Sequence, residues 1–357
     1  MYIQIITCHS LVYLFLQRHQ MAVQTKKILK KALSWAGLFF FGVAAYMLYR
    51  QLSKYSLEDI KEALMSIPPH NLLMACAASF LGYVALSSYD YLALRYIGRK
   101  LAPWKWIFAG FIGFSVSNNA GHAIVSGGTI RYRLYTRWRF RGTEIVRMVT
   151  FSGFTYLVAC FLLIIIGYFI TPNHAFGDGS VSKLTTEVVT LISAVGLLGY
   201  FALSIWYHKP LIIKGVELDM PRPPMALAQV IIGGADILMA SLVLYFSLIA
   251  FVDIPFSTFM GVFIIAQVLG VFSQVPGGLG VFEGLFMYII PGDHNRAMLF
   301  GALLAYRIIY YLLPLILSAF VLFGYEGYLK YVKKQQIERL KLFRMQEIAN
   351  QDTKKAV

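Results

Sequence analysis

Four ionisable residues, Asp90, Asp236, Glu283 and Arg307, sit inside stretches of chain that are otherwise apolar. A charge at bilayer depth costs about 2.5–3.5 kcal/mol on insertion scales, and such residues face one another or a wet cavity. Carboxylates there suit a cationic group such as an ammonium, or general-base work on a membrane-embedded substrate. A buried arginine suits an anionic group such as a phosphate, or pairs with a carboxylate. Arg307 follows ten residues of apolar helix and precedes Tyr310, Tyr311 and Pro314, so it is no loop residue, and Glu283 is its natural partner. Plainer readings stand beside these. Glu283 also fits as a helix-start carboxylate at the positive end of a half-helix, and Asp90 as an interfacial residue near Arg95.

These residues flank two glycine pairs. Ser126-Gly127-Gly128-Thr129 and Pro276-Gly277-Gly278-Leu279-Gly280 interrupt long apolar runs, and the pairs lie 150 residues apart. Glycine pairs break helices, and non-helical backbone at membrane depth is tolerated only where protein covers it or it lines a cavity. Gly127, Gly128, Pro276, Gly277, Gly278 and Gly280 are therefore candidate cavity backbone. Asn118, Asn119, His122, Gln267 and Gln274 add polar groups to the same segments. Their simplest task is to satisfy backbone groups released by the breaks.

Just after the first pair, Arg131 and Arg133 open a run through Arg139 that interleaves cations with aromatics, suited to holding lipid phosphates while the rings sit at headgroup level. Orientation of the chain in the membrane is the alternative reason for these arginines. The basic stretch 330–344 carries Val332, Ile337, Leu340 and Phe343 and reads as a surface helix on anionic lipid or as a solvated tail.

The elements that must position these residues follow from composition. With 58% hydrophobic and 14% charged residues and a mean hydropathy of +0.65, the chain is too apolar for a soluble globule. The net charge of +15 is spread over short segments beside apolar runs, which argues against nucleic acid as a partner. Cys8, Cys76 and Cys160 form no CxxC pair, so neither disulfides nor zinc are expected, and no metal or cofactor site is indicated. HExxH, GxSxG and GxxxxGK[ST] are absent.

Apolar runs at 32–49, 71–94, 145–170, 186–207, 226–251 and 297–323 predict about six spanning helices. Two further stretches, 106–125 and 257–290, hold the glycine pairs. Arginines and lysines flank the first at both ends and are sparse around the second. By the positive-inside rule the first re-enters from the cytoplasm and the second from outside, with both termini cytoplasmic. The expected fold is an all-α integral membrane protein, with repeats over about 71–172 and 226–324 in an inverted arrangement of the kind secondary transporters use. Residues 1–31 form a cytoplasmic segment, with 1–20 an upstream start before Met21 or an interfacial piece. Residues 32–323 form one polytopic domain and 324–357 a basic cytoplasmic tail.

Three ordered motifs, Gly127 to Tyr135, Pro276 to Glu283 and Tyr306 to Pro314, resemble the transmembrane domain of lysylphosphatidylglycerol synthase/flippase proteins, the multiple peptide resistance factor family. The likeness covers about 33–323. It implies a bacterial inner-membrane domain that moves aminoacylated phosphatidylglycerol to the outer leaflet, while a separate cytoplasmic domain transfers lysine from its tRNA. About thirty residues follow the last span, so the stand-alone membrane form is expected, without transfer chemistry. The expected function is a lipid translocase with membrane phospholipid as its partner. Arg131, Arg133, Asp236, Glu283 and Arg307 would bind and pass the lipid. Rivals are a membrane-embedded enzyme using Glu283, Asp236 or Asp90 as base, or a scaffold for a separate cytoplasmic synthase; a homodimer is a further open partner.

Overall fold

The computed structural model describes residues 65–120, 123–170, 183–207, 209–213, 216–272, 276–278, 280–290 and 296–355, together with 58 and 62. The predicted span 32–49, the segment 1–31, His122 and Gln274 lie outside the described residues. The helices are α1 (Pro69–Tyr96), α2 (Pro103–Ala120), α3 (Ala123–Arg137), α4 (Gly142–Ile170) and α5 (Lys183–Trp206), then α6 (Pro223–Leu248), α7 (Phe256–Phe272), α8 (Val281–Ile289), α9 (Arg296–Tyr306) and α10 (Leu313–Lys355). Proline opens α1, α2 and α6, where its missing N–H would have no intrahelical acceptor anyway. A short antiparallel pair, β1 (Leu211–Ile213) and β2 (Val216–Leu218), joins α5 to α6 with Ile212 opposite Glu217.

Among the described residues five stretches are long and apolar enough to cross a bilayer: α1, α4, Leu184–Trp206 of α5, α6, and Met298–Arg339 of the last span. Four coincide with runs expected from the sequence to within a few residues, the last begins where expected but runs on past 323, and the molecule is an all-α integral membrane protein. Half of the α6 span is buried inside the protein against 17% of the α5 span, so α6 is central and α5 peripheral. Leu191, Val195 and Leu198 of α5 stand exposed, as a lipid-facing surface requires.

Helices α2 and α3 form an antiparallel hairpin. Trp104 and Trp138 meet at its base with ring centroids 6.2 Å apart, and Gly113 lies against Gly127 nearer its tip. Helices α7 and α8 form a second hairpin, closed by Phe259 on Phe286 at 5.8 Å and Phe263 on Phe282 at 5.6 Å. The central helices α1 and α6 run antiparallel: Tyr89 reaches Asp236, whereas Gly82, about two turns earlier, faces Met239 further along α6. Since each hairpin starts at the C-terminal end of one of these helices, the two hairpins enter from opposite ends. Their tips meet where a Cβ built on Gly277 would lie 3.4 Å from the Asn118 carbonyl oxygen and 3.6 Å from that of Asn119.

Equivalent elements recur at a nearly fixed offset. Pro69 and Pro223 are 154 residues apart, Pro103 and Phe256 are 153, and Gly142 and Arg296 are 154. Each hairpin has its own apolar core. Ile112, Leu134, Tyr135 and Met148 centre one, and Phe259, Phe263, Phe282 and Phe286 the other.

The expected break at Gly127-Gly128 is not where the chain turns. Both residues are helical within α3. A Cβ on Gly127 would come within 2.7 Å of Ser117 Oγ and 3.0 Å of the Gly113 carbonyl, so this glycine exists to let two helices touch. At the second pair the break is real: Gly277, Gly278 and Gly280 have φ of 61°, 63° and 80°, a region costly to residues with a Cβ. The last span contains a break that glycine did not announce, a π-helical turn over Arg307–Leu312 between α9 and α10. Pro314 explains it, because proline donates no N–H to the carbonyl four residues back and its ring crowds that carbonyl. Beyond this turn α10 continues unbroken to Lys355, so the basic tail is a prolongation of the last span.

Candidate functional site

Where the hairpin tips meet, Arg307 leaves the first position of the π turn and stays 4% exposed. Its Nε donates to Glu283 Oε1 at 2.5 Å and its Nη1 to the Gly277 carbonyl at 2.5 Å. The guanidinium lies over the Tyr311 ring, 4.5 Å from the centroid. Glu283 holds the third position of α8, and its Oε2 accepts the Gly280 backbone N–H at 2.8 Å. Glu283 is thus both a helix-start carboxylate and the partner of Arg307. The third Arg307 nitrogen, Nη2, is buried with no hydrogen-bond partner among the described residues.

The π turn is held by side chains from the other half of the molecule. The Ile309 carbonyl accepts from Ser79 Oγ at 3.1 Å, that of Tyr310 from the Tyr83 hydroxyl at 3.1 Å and that of Tyr311 from Asn119 Nδ2 at 3.1 Å. Three carbonyls displaced from the regular ladder thereby find donors at depth. Asn119 takes the backbone-satisfying task expected of it.

A second arginine repeats the pattern. Arg131 Nε donates to Asp90 Oδ1 at 2.8 Å, and the other Asp90 oxygen accepts from the Tyr135 hydroxyl at 2.8 Å. The Arg131 guanidinium lies 4.3 Å from the Phe114 ring centroid and against Gly113 and Gly127, where added Cβ atoms would sit 3.1 Å away. Its Nη2 is also buried, with no partner among the described residues. Arg131 is therefore interior, 3% exposed, and Asp90 is held by Arg131 rather than lying at an interface beside Arg95. Arg133 lies nearer the surface and pairs with Glu326 of α10 at 3.0 Å, as Arg137 does at 2.7 Å.

Asp236, near the middle of α6, completes the set. It accepts from the Tyr89 hydroxyl at 3.0 Å and the Tyr310 hydroxyl at 3.2 Å, and is 3% exposed. Tyr310 joins it to the π turn, so Asp236, Glu283 and Arg307 belong to one connected cluster, with Arg131 and Asp90 midway along the neighbouring hairpin. Sequence reasoning missed Tyr89, Tyr135 and Tyr310, because nothing local distinguishes a tyrosine that meets a buried carboxylate from one that packs. It also missed Gln229, which donates to Thr155 Oγ1 at 2.8 Å and accepts from Tyr200. Among the described residues no group of three or more metal-ligating side chains is assembled.

These features define a polytopic membrane protein in which two oppositely entering helical hairpins meet around buried arginine–carboxylate pairs. The family described as the lysylphosphatidylglycerol synthase TM region matches residues 34–318, and the chain belongs to that family. An uncharacterised protein of Synechocystis is 31% identical over 81% of this chain and 90% of its own length. The inner membrane protein YbhN of Escherichia coli is 29% identical over 82% of this chain and 91% of its own length. A phosphatidylglycerol lysyltransferase of Staphylococcus xylosus is 28% identical over 81% of this chain, a match that takes in 33% of the larger protein.

Proposed function

We propose that the chain is a lipid translocase of the inner membrane, which passes the phosphate-bearing headgroup of an anionic or aminoacylated phospholipid between leaflets while the acyl chains stay in the bilayer. One observation carries this reading: two arginines buried among apolar helices, Arg131 and Arg307, each keep a guanidinium nitrogen without a partner among the described residues. A buried unsatisfied donor on a cation is costly, and a phosphate oxygen is the acceptor that suits it best. The meeting hairpin tips and the equal spacing of elements support an inverted repeat, the architecture that alternates access around a fixed midplane site. In this reading Arg307 takes the phosphate and Glu283 is its counter-ion when empty. An ammonium on the headgroup would find Glu283 and Asp236. The kinship with a lysyltransferase's membrane part favours a lipid as cargo, and the transfer chemistry is assigned to a different domain.

The test is a reconstitution. Full-length protein in vesicles containing phosphatidylglycerol with a nitrobenzoxadiazole-labelled acyl chain should expose inner-leaflet label to external dithionite faster than protein-free vesicles. A hydrogen bond to a charged group contributes about 1.5–3 kcal/mol, so Arg307→Gln should slow transfer by about ten- to a hundredfold. Arg307→Lys should recover only part, since an ammonium lacks the planar fork. Glu283→Gln combined with Arg307→Gln removes both charges and controls for stability. Equal rates in wild-type and protein-free vesicles would refute the reading, and lipid covalently altered by the protein alone would make it an enzyme instead.

A further inference from the structure

Phosphate recognition by the two arginines leaves Asp236 without a counter-charge. Among the described residues no lysine, arginine or histidine forms an ion pair with it. The groups that face it are Tyr83 and Tyr89 from α1, Tyr156 and Cys160 from α4, and Tyr310 from the π turn, none of them a cation. Tyr306 stacks on Tyr310 behind them at 5.7 Å. Of the other helices packed on α6, α5 brings Tyr200, which holds Gln229 about two turns away, and α7 brings Gln267, which donates to the Tyr156 hydroxyl. A lone carboxylate at mid-depth has one inexpensive way to lose its charge, which is to bind a proton.

We propose that Asp236 is a proton-carrying site that couples headgroup movement to the proton gradient across the membrane. The inference rests on the translocase reading above. In each cycle the carboxylate takes a proton from a hydronium ion reached from one face, leaving water, and returns that proton to water open to the other face. The geometry supplies the coupling. As an anion Asp236 accepts from both Tyr89 and Tyr310. Once protonated it carries a donor of its own, so one of those hydroxyls must turn to accept or move away. Tyr310 lies on the same π turn as Arg307, and that turn is pinned through the Tyr310 carbonyl by Tyr83. A π turn is a local register defect that can shift by rearranging a few hydrogen bonds, so a change at Tyr310 reaches the Arg307 guanidinium within one turn of helix.

The experiment reconstitutes the full chain in vesicles holding the pH dye pyranine and acyl-labelled phosphatidylglycerol, with a one-unit pH gradient imposed in either direction and membrane potential clamped by potassium and valinomycin. One proton coupled per lipid lets a one-unit gradient bias the leaflet ratio by up to about tenfold. Wild type should therefore shift the leaflet ratio with the sign of the gradient and move protons in step with lipid. Asp236→Asn should lose the gradient response in both the proton and the lipid signal, and Asp236→Glu should restore it. Lipid transfer that ignores the gradient in wild type, without pyranine signal, overturns the proposal and leaves the translocase reading standing. So does an Asp236→Asn protein that responds as wild type does. No lipid transfer under any gradient overturns both. Should Asp236→Asn not fold, the wild-type proton and lipid signals decide alone.

Discussion

Asp90 and Arg131 illustrate how membrane-buried charge is stabilised residue by residue. Their side chains are 1% and 4% exposed, joined at 2.8 Å, with Tyr135 on the second carboxylate oxygen and Phe114 under the guanidinium. Removing one partner of such a pair leaves an uncompensated charge, whereas removing both is often close to neutral. Asp90→Asn should therefore destabilise by about 3–5 kcal/mol, and Asp90→Asn with Arg131→Met should recover much of the loss. Thermal unfolding of detergent-purified protein would read the difference. Two single losses that merely add in the double variant would show that the pair does not act as a unit. The same logic applies to Glu283 and Arg307, and in both pairs the guanidinium keeps an Nη2 with no hydrogen-bond partner among the described residues.

At the level of elements, glycine serves two different purposes in the two hairpins. In α3, Gly127 permits contact with α2, while its neighbour Gly128 has room: an added Cβ would meet Val149 at an ordinary 3.5 Å. Gly127→Ala must therefore push α2 and α3 apart at a cost of about 1–3 kcal/mol. Gly128→Ala should be neutral or gain up to about 1 kcal/mol from helix propensity. Comparing the two variants by thermal stability tests the assignment, and equal effects would contradict it. At Gly280 nothing lies within 4 Å, yet φ is 80°, so alanine there strains the backbone by about 1–2 kcal/mol rather than clashing. Gly280→Ala should be destabilising by about that amount in the same melting assay, and a neutral result would show that the turn relaxes.

For the whole molecule, the antiparallel α1–α6 pair and the hairpins entering from opposite ends make a specific claim about sidedness. Hairpin α2–α3 starts and finishes at the level of Lys100 and Arg141, and α7 starts at the level of Asp253. Single cysteines at 100 and 141, placed in a chain whose own cysteines are replaced by alanine, should react with a membrane-impermeant maleimide from the cytoplasmic face. A cysteine at 253 should react from the opposite face. Labelling of 100 and 141 from different faces would break the hairpin reading, and labelling of all three from one face would break the inversion.

Spanning segments were legible because a bilayer imposes one rule on every helix that crosses it, so four apolar runs could be placed at both ends, and the fifth at its start, to within a few residues. Glu283 and Arg307 could be paired in advance because so few charges were available at depth. Charge bias around 106–125 and 257–290 led to two re-entrant segments, but 106–125 takes in little more than α2, and the return limb α3 runs on to Arg137. The role of Gly127 was not readable, since a glycine that breaks a helix and one that lets another helix approach look alike without the neighbour. Arg131 reads as a surface cation until Asp90, 41 residues away, folds against it. Tyr89 and Tyr310 meet Asp236 from 147 and 74 residues away in sequence. The sequence alone determined which segments leave water, because that depends on local apolarity. Only tertiary structure decided which polar groups compensate one another, because at bilayer depth a donor's partner is whichever acceptor packing brings within reach.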